Sequence, residues 1–221
     1  MKYTRIVLAL LAVLAVSAFT TSAASALTYN SSASPAMLFG SQLGKHKLTV
    51  DGQNVECNNG NYEVAAVANG ATEIPNVVAA YNNCVAFGFT NATMNMGSCT
   101  FKFLTPNVTP AIMAKFSIAC KNNANETGSP NNGDIRVFSS VFGSECEVHI
   151  ESQSEKSTLS FANNTPNMGK VEVDAEITGL VEQNTKDNGL CPLAGIGITN
   201  GGTYNGSTAL EATGGATIAV S

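Results

Sequence analysis

Val171-Glu172-Val173-Asp174-Ala175-Glu176-Ile177 is the stretch that decides the fold. Apolar side chains alternate with carboxylates throughout it. Successive side chains of a β-strand point to opposite faces, so this pattern predicts a strand with one buried and one solvated face.

The same period of two recurs in other segments, which also predict strands. In each of three segments, one face of the expected strand carries a cysteine and two apolar residues. These sets are Cys99, Phe101 and Phe103, then Phe116, Ile118 and Cys120, and then Cys146, Val148 and Ile150. Further strands are expected over Leu48–Val55, Tyr62–Ala68, Ile74–Tyr81, Val85–Phe89, Ile135–Val141, Thr203–Leu210 and Ala209–Ser221.

Clusters of Asn and Gly separate these segments, for example Asn58-Asn59-Gly60 and Asn200-Gly201-Gly202. Both residue types tolerate the backbone conformations of tight turns. Many short strands with turns between them predict an all-β fold, an antiparallel β-sandwich or barrel. One domain over residues 27–221, or two small sandwiches sharing an interface, fits this length, with residues 27–43 expected to be a loosely ordered lead-in.

Residues 1–26 have the features of a secretory signal peptide. Lys2 and Arg5 precede an apolar run over residues 6–18, and Ala24-Ser25-Ala26 matches the small-residue cleavage pattern. The run is shorter than the roughly 20 residues that span a bilayer. We therefore expect a secreted, extracellular protein with no membrane span after cleavage.

Six cysteines follow the predicted signal peptide: Cys57, Cys84, Cys99, Cys120, Cys146 and Cys191. An even number in an exported chain predicts disulfide bonds that staple the fold. Six cysteines allow fifteen connectivities, and the sequence does not choose among them. Two schemes follow from hairpin symmetry, in which paired residues lie equally far from a turn. One pairs Cys57 with Cys84, Cys99 with Cys120 and Cys146 with Cys191, and the other pairs Cys120 with Cys146 and Cys99 with Cys191.

The composition excludes some functions. The formal net charge is −5, and without Lys2 and Arg5 nine basic residues remain against 16 acidic ones. Such a chain lacks the basic surface that nucleic acid requires, so no nucleic-acid partner is expected.

No residue is assigned a catalytic role from the sequence. His46 precedes a predicted strand and His149 lies on the expected wet face of another. No Gly-x-Ser-x-Gly motif accompanies them, so a serine-histidine mechanism lacks its nucleophile. Tyr81 and Tyr204 are the remaining weak candidates for a surface contact.

Acidic side chains form the one candidate metal site. If their two strands are neighbours, Glu145, Glu147, Glu151, Glu172, Asp174 and Glu176 share an outer face. Several carboxylates together can bind Ca²⁺. The alternative is that they keep the surface soluble and discourage edge aggregation. No cofactor is predicted otherwise.

Three segments resemble a group of secreted actinobacterial proteins of unknown function. They are Gly44-Lys45-His46-Lys47-Leu48-Thr49-Val50-Asp51 with Val55-Glu56-Cys57, then Tyr81–Gly88 with Asn95–Phe101, and Thr203-Tyr204-Asn205-Gly206-Ser207-Thr208. The last matches a Tyr-x-Gly-x-Thr-like final strand in such proteins, with one Ser in place of Thr. The resemblance implies a secreted, disulfide-stapled β protein and transfers no site residue.

The sequence thus predicts a non-enzymatic extracellular β protein, either a surface or matrix component or a binding module whose partner is an extracellular ligand or a cell-surface component. One alternative is a secreted hydrolase that uses paired carboxylates such as Glu147 and Asp174. Another is a polymer subunit that donates residues 209–221 as a strand.

Overall fold

The computed structural model describes residues 28–104, 107–108, 112–121, 133–141, 144–163, 169–186, 190–193, 195 and 197–220. The predicted signal peptide, residues 1–26, lies outside these ranges. Within them, no helix is long and apolar enough to cross a membrane.

The described residues are mostly β-strands. They are β1 (Tyr29–Ser31), β2 (Ala36–Gln42), β3 (His46–Val50), β4 (Gln53–Val67), β5 (Ile74–Ala86), β6 (Thr90–Asn95), β7 (Cys99–Phe103), β8 (Asn107–Val108), β9 (Ile112–Cys120), β10 (Ile135–Val141), β11 (Ser144–Ile150), β12 (Gln153–Asn163), β13 (Lys170–Lys186), β14 (Gly197–Ala212) and β15 (Ile218–Val220).

These strands form a closed, eight-stranded antiparallel barrel with additional strands, which confirms the predicted fold class. Four wall positions are single long strands: β4, β5, β13 and β14. The other four are each filled by two shorter strands in line: β2 with β3, β6 with β7, β9 with β10, and β11 with β12. Neighbours in the wall follow one another in sequence, and β14 closes the barrel against β2 and β3.

Both ends of the barrel are covered. At one end β1 pairs with β15, and Tyr29, Ile218 and Val220 are buried there. At the other end Leu193 packs against the core and Cys191 bonds to Cys146. The C-terminal strand is therefore paired within its own chain.

The three disulfide bonds follow the first of the two expected schemes: Cys57–Cys84, Cys99–Cys120 and Cys146–Cys191. The first two join residues that lie directly opposite each other on neighbouring strands. Hairpin symmetry alone also allowed the rival pairing of Cys120 with Cys146, which the structure excludes.

Several predicted boundaries were wrong. Residues 27–43 are not a loose lead-in, because they contain β1 and β2. The alternation in β2 is hard to recognise, since Met37 and Phe39 point outwards and Gly40 inwards. The predicted strand Leu48–Val55 is instead a hairpin, because Asp51 and Gly52 both have positive φ, as a tight two-residue turn requires.

Candidate functional site

A cavity of about 60 Å³ lies inside the barrel among mostly buried side chains, and its lining is almost entirely apolar. Aromatic rings supply part of the wall, among them Phe101 and Phe116, and the unbranched side chains of Met94 and Met96 supply another part. Tyr62, Tyr81, Tyr204 and Thr208 are the lining residues with polar side-chain atoms. Most voids in protein cores are smaller than a water molecule, so a cavity of this size is unusual in a packed core.

The three tyrosine hydroxyls meet at His46. The oxygens of Tyr62 and Tyr81 are 3.0 Å apart, those of Tyr81 and Tyr204 are 2.8 Å apart, and those of Tyr62 and Tyr204 are 3.1 Å apart. His46 Nδ1 lies 2.6 Å from both Tyr62 Oη and Tyr204 Oη. On the other side of the ring, His46 Nε2 donates to the carbonyl oxygen of Ser207 at 2.9 Å.

This bonding fixes the state of the histidine. The Ser207 carbonyl can only accept, so Nε2 carries the proton and Nδ1 accepts from a tyrosine. Burial lowers the pKa of His46, against the opposing effect of the Ser207 carbonyl. Burial also raises the pKa of Tyr81 and of Tyr204 well above the ordinary value. The cluster is therefore a neutral hydrogen-bonded network.

Glycines make room for these rings. A Cβ on Gly206 would lie 2.6 Å from His46 Cδ2, and a Cβ on Gly40 would lie 2.8 Å from Tyr62 Cβ. Glycine within a strand often marks such a close approach. The alternation Tyr204-x-Gly206-x-Thr208 was the sequence signal of the cluster, since all three residues belong to the inward face of β14.

A second polar cluster lies on β10 and β11, around Glu147. Its Oε1 accepts hydrogen bonds from Arg136 Nε at 2.9 Å and from His149 Nε2 at 2.6 Å. Lys186 Nζ lies 3.1 Å from Glu147 Oε2, and His149 Nδ1 lies 3.8 Å from Asp134 Oδ2. Burial alone would raise the pKa of Glu147, but the bonds from His149, Arg136 and Lys186 lower it to about 2. Glu147 is thus an ionised carboxylate held by three donors.

A third cluster lies inside the barrel near the turn between β3 and β4. Asn184 Nδ2 donates to Asp51 Oδ2 at 2.7 Å and to the Gly195 carbonyl at 3.0 Å. Glu182 is buried beside it, and Thr199 Oγ1 donates to Glu182 Oε2 at 3.4 Å. Burial, together with the negative charge of Asp51, raises the pKa of Glu182 to about 8.

The six carboxylates expected to share an outer face do not meet. Strand β11 does pair with β13, but Glu147 lies opposite Lys186, at the far end of β13 from Glu172, Asp174 and Glu176. The ten residue-to-residue steps from 176 to 186 span roughly 30 Å of strand. Glu145 forms an ion pair with Lys186, and Glu151 follows the end of β11. Glu147 is buried rather than solvated. The expected acidic face is therefore divided into separate groups of carboxylates.

His149 and both candidate tyrosines also differ from expectation. His149 is only 3% exposed, and it contacts Glu147 instead of solvent. His46 opens β3 and points into the barrel, as do Tyr81 and Tyr204. Alternation along a strand shows which residues share a face, but it does not show which face points inwards until the pairing of the strand is known. The inward direction of these polar residues was therefore not evident from the sequence.

Among the described residues, no group of three or more His, Cys, Asp or Glu side chains is placed to hold a metal ion. The sequence matches no protein-family model, no curated protein and no solved structure.

Proposed function

We propose that the protein is a non-enzymatic extracellular binding module that holds a small, mainly apolar ligand inside its barrel. The observation that carries this proposal is the apolar cavity inside the barrel, whose lining includes three tyrosines with mutually hydrogen-bonded hydroxyls. An apolar pocket with a few convergent polar groups is the usual form of a small-molecule site. Eight-stranded barrels have an interior wide enough to hold one small ligand.

Energetics also support this proposal. An internal void costs about 24 cal/mol per Å³, so a cavity of this size costs roughly 1–2 kcal/mol. A ligand that fills the cavity would remove that cost. The space accepts only a few non-hydrogen atoms, and a larger ligand would require Met94 and Met96 to move. Methionine suits that role, since its side chain is flexible and polarisable.

The state of the histidines favours binding over catalysis. Both ring nitrogens of His46 are engaged in the tyrosine network, and His149 donates to an ionised carboxylate. The three disulfides favour an extracellular location, since such bonds persist in oxidising compartments.

The test is NMR of the protein labelled with ¹³C at its methionine methyl groups, titrated with benzene and with 1-alkanols of increasing length. We expect saturable shifts of the Met94 and Met96 signals and none of Met37, which is on the outer surface and 51% exposed. Ala175→Leu, which fills the cavity, should abolish the shifts. Ala80→Leu, on the exposed face of β5, should not.

Two results would refute the proposal. One is the absence of a saturable shift at Met94 and Met96 with every compound in the series. The other is a shift that survives in Ala175→Leu, because it would place the bound compound outside the cavity.

A further inference from the structure

Two buried oxygens in the cluster near the β3–β4 turn lack a hydrogen-bond donor. Glu182 is 1% exposed and Asn184 is 0% exposed. Within the described residues, Glu182 Oε1 and Asn184 Oδ1 accept no hydrogen bond. Leaving a buried acceptor unsatisfied is costly, and native structures seldom do so without a reason. Two such acceptors two residues apart on one face point to a ligand with positive charge.

Local backbone geometry turns both side chains inwards. In the first half of β13 the odd-numbered residues Val171, Val173 and Ile177 are buried. Gly179 has φ 67°, and the pairing with β14 shifts by one residue there. After this bulge the even-numbered residues point inwards, which buries Glu182 and Asn184.

Other oxygens lie next to this pair. Asp51 Oδ2 and the Gly195 carbonyl are both bonded to the amide nitrogen of Asn184. Rotating that amide by 180° exchanges its nitrogen with Oδ1. Oδ1 would then lie beside Asp51 Oδ2 and the Gly195 carbonyl oxygen, an arrangement that a cation between them would stabilise, while the amide nitrogen would take the place of the acceptor that lacks a donor. Glu182, on the same face of β13, adds a second negative charge.

Space for the Glu182 carboxylate exists only because residue 202 is glycine. A Cβ on Gly202 would lie 1.2 Å from Glu182 Oε1. A side chain at this position of β14 would require the Glu182 carboxylate to move from its place. The chain therefore holds an acidic side chain in the barrel interior, although an apolar side chain there would avoid the free-energy cost of burying a carboxyl group.

We propose that Asp51, Glu182, Asn184 and the carbonyl of Gly195 form a binding site for a calcium-type divalent cation inside the covered end of the barrel. Ca²⁺ accepts carboxylate, amide and backbone carbonyl oxygens in flexible geometries, with water completing its six to eight ligands. Mg²⁺ is a poorer fit, since it requires nearly octahedral geometry and loses its water reluctantly. The site is separate from the divided acidic face and from the apolar cavity proposed as the ligand site.

The test is isothermal titration of the chelator-treated protein with calcium chloride, together with thermal unfolding in calcium and in chelator. We expect one calcium ion per chain, binding of Mg²⁺ at least tenfold weaker, and a Tm higher by about 5 °C or more in 5 mM calcium.

Two variants remove one charge each and keep the shape. Asp51→Asn suits the positive φ of the turn, because Asn adopts that conformation readily. Glu182→Gln is isosteric. Each should weaken calcium binding at least tenfold, while Glu176→Gln, on the exposed face of the same strand, should bind as the wild type does.

Absence of calcium binding in the wild type would overturn the proposal, as would binding that remains unchanged in both Asp51→Asn and Glu182→Gln. Equal loss in Glu176→Gln would also overturn it, because a diffuse acidic surface would then account for the affinity.

Discussion

Glu182→Gln is expected to change how stability depends on pH. Burial and Asp51 raise the pKa of Glu182 from its ordinary value of 4.5 to about 8. Between these two values the unfolded chain releases the proton while the folded protein keeps it. The free energy of unfolding therefore falls as pH rises through this interval, and the loss is complete above about pH 8.

The size of the effect follows from the same two pKa values. One pKa unit corresponds to 1.36 kcal/mol, so the ionised carboxylate costs the folded protein about 5 kcal/mol at high pH. Glutamine has the same shape and no charge to release. The variant should thus match the wild type near pH 4.5 and exceed it by several kcal/mol at pH 8.5. Between these limits the difference should grow by at most about 1.4 kcal/mol per pH unit.

The assay is urea unfolding of both proteins at pH 4.5, 6, 7.5 and 8.5 in the presence of a chelator. Other titrating groups are common to the two proteins and cancel in the comparison. A constant difference across this range would refute the reasoning, and so would a variant that is less stable than the wild type at pH 8.5. Calcium should reduce the difference at pH 8.5, because a bound cation offsets the charge of the carboxylate.

Three other substitutions test the remaining structure by urea unfolding. Glu147→Gln should lower the free energy of unfolding by about 3 kcal/mol at pH 7. This loss should shrink as pH falls from 4.5 towards 2, because the carboxyl of the wild type then also becomes protonated. A variant as stable as the wild type at pH 7 would contradict the role of the network. Replacing Cys146 and Cys191 together by Ala should lower the free energy of unfolding by about 4 kcal/mol, because the bond closes a loop with a sequence separation of 45. An unchanged urea midpoint would argue against the bond. Gly206→Ala should cost about 1–3 kcal/mol, since its Cβ would lie 2.6 Å from a buried histidine ring. Gly44→Ala, which meets no atom within 4 Å, is the control and should be nearly neutral.

The fold was predictable because its strongest signals are local. The alternation over residues 171–177 gives the direction of each side chain without any knowledge of the neighbouring strands. The hairpin symmetry of Cys57 and Cys84 works for the same reason, since two residues equally distant from a turn lie opposite each other. Closure of the strands into a barrel rather than a sandwich depends on β14 pairing with β2 and β3, which no local pattern specifies.

The polar clusters were not predictable, because their members come from distant parts of the chain. His46, Tyr62 and Tyr204 meet only after the barrel closes. Glu182 was hidden by a different effect. Continuing the alternation of residues 171–177 places it on the outer face, and only the bulge at Gly179 reverses the direction.

The most direct test of ligand binding inside the barrel is a crystal structure determined under xenon pressure. Xenon is apolar, and it enters dry cavities in proteins. The account predicts a xenon site inside the barrel, in contact with Met94, Met96 and the rings around Tyr81, and no such site in Ala175→Leu. Xenon found only on the outer surface of the wild type, with the interior unchanged, would contradict the proposed binding function.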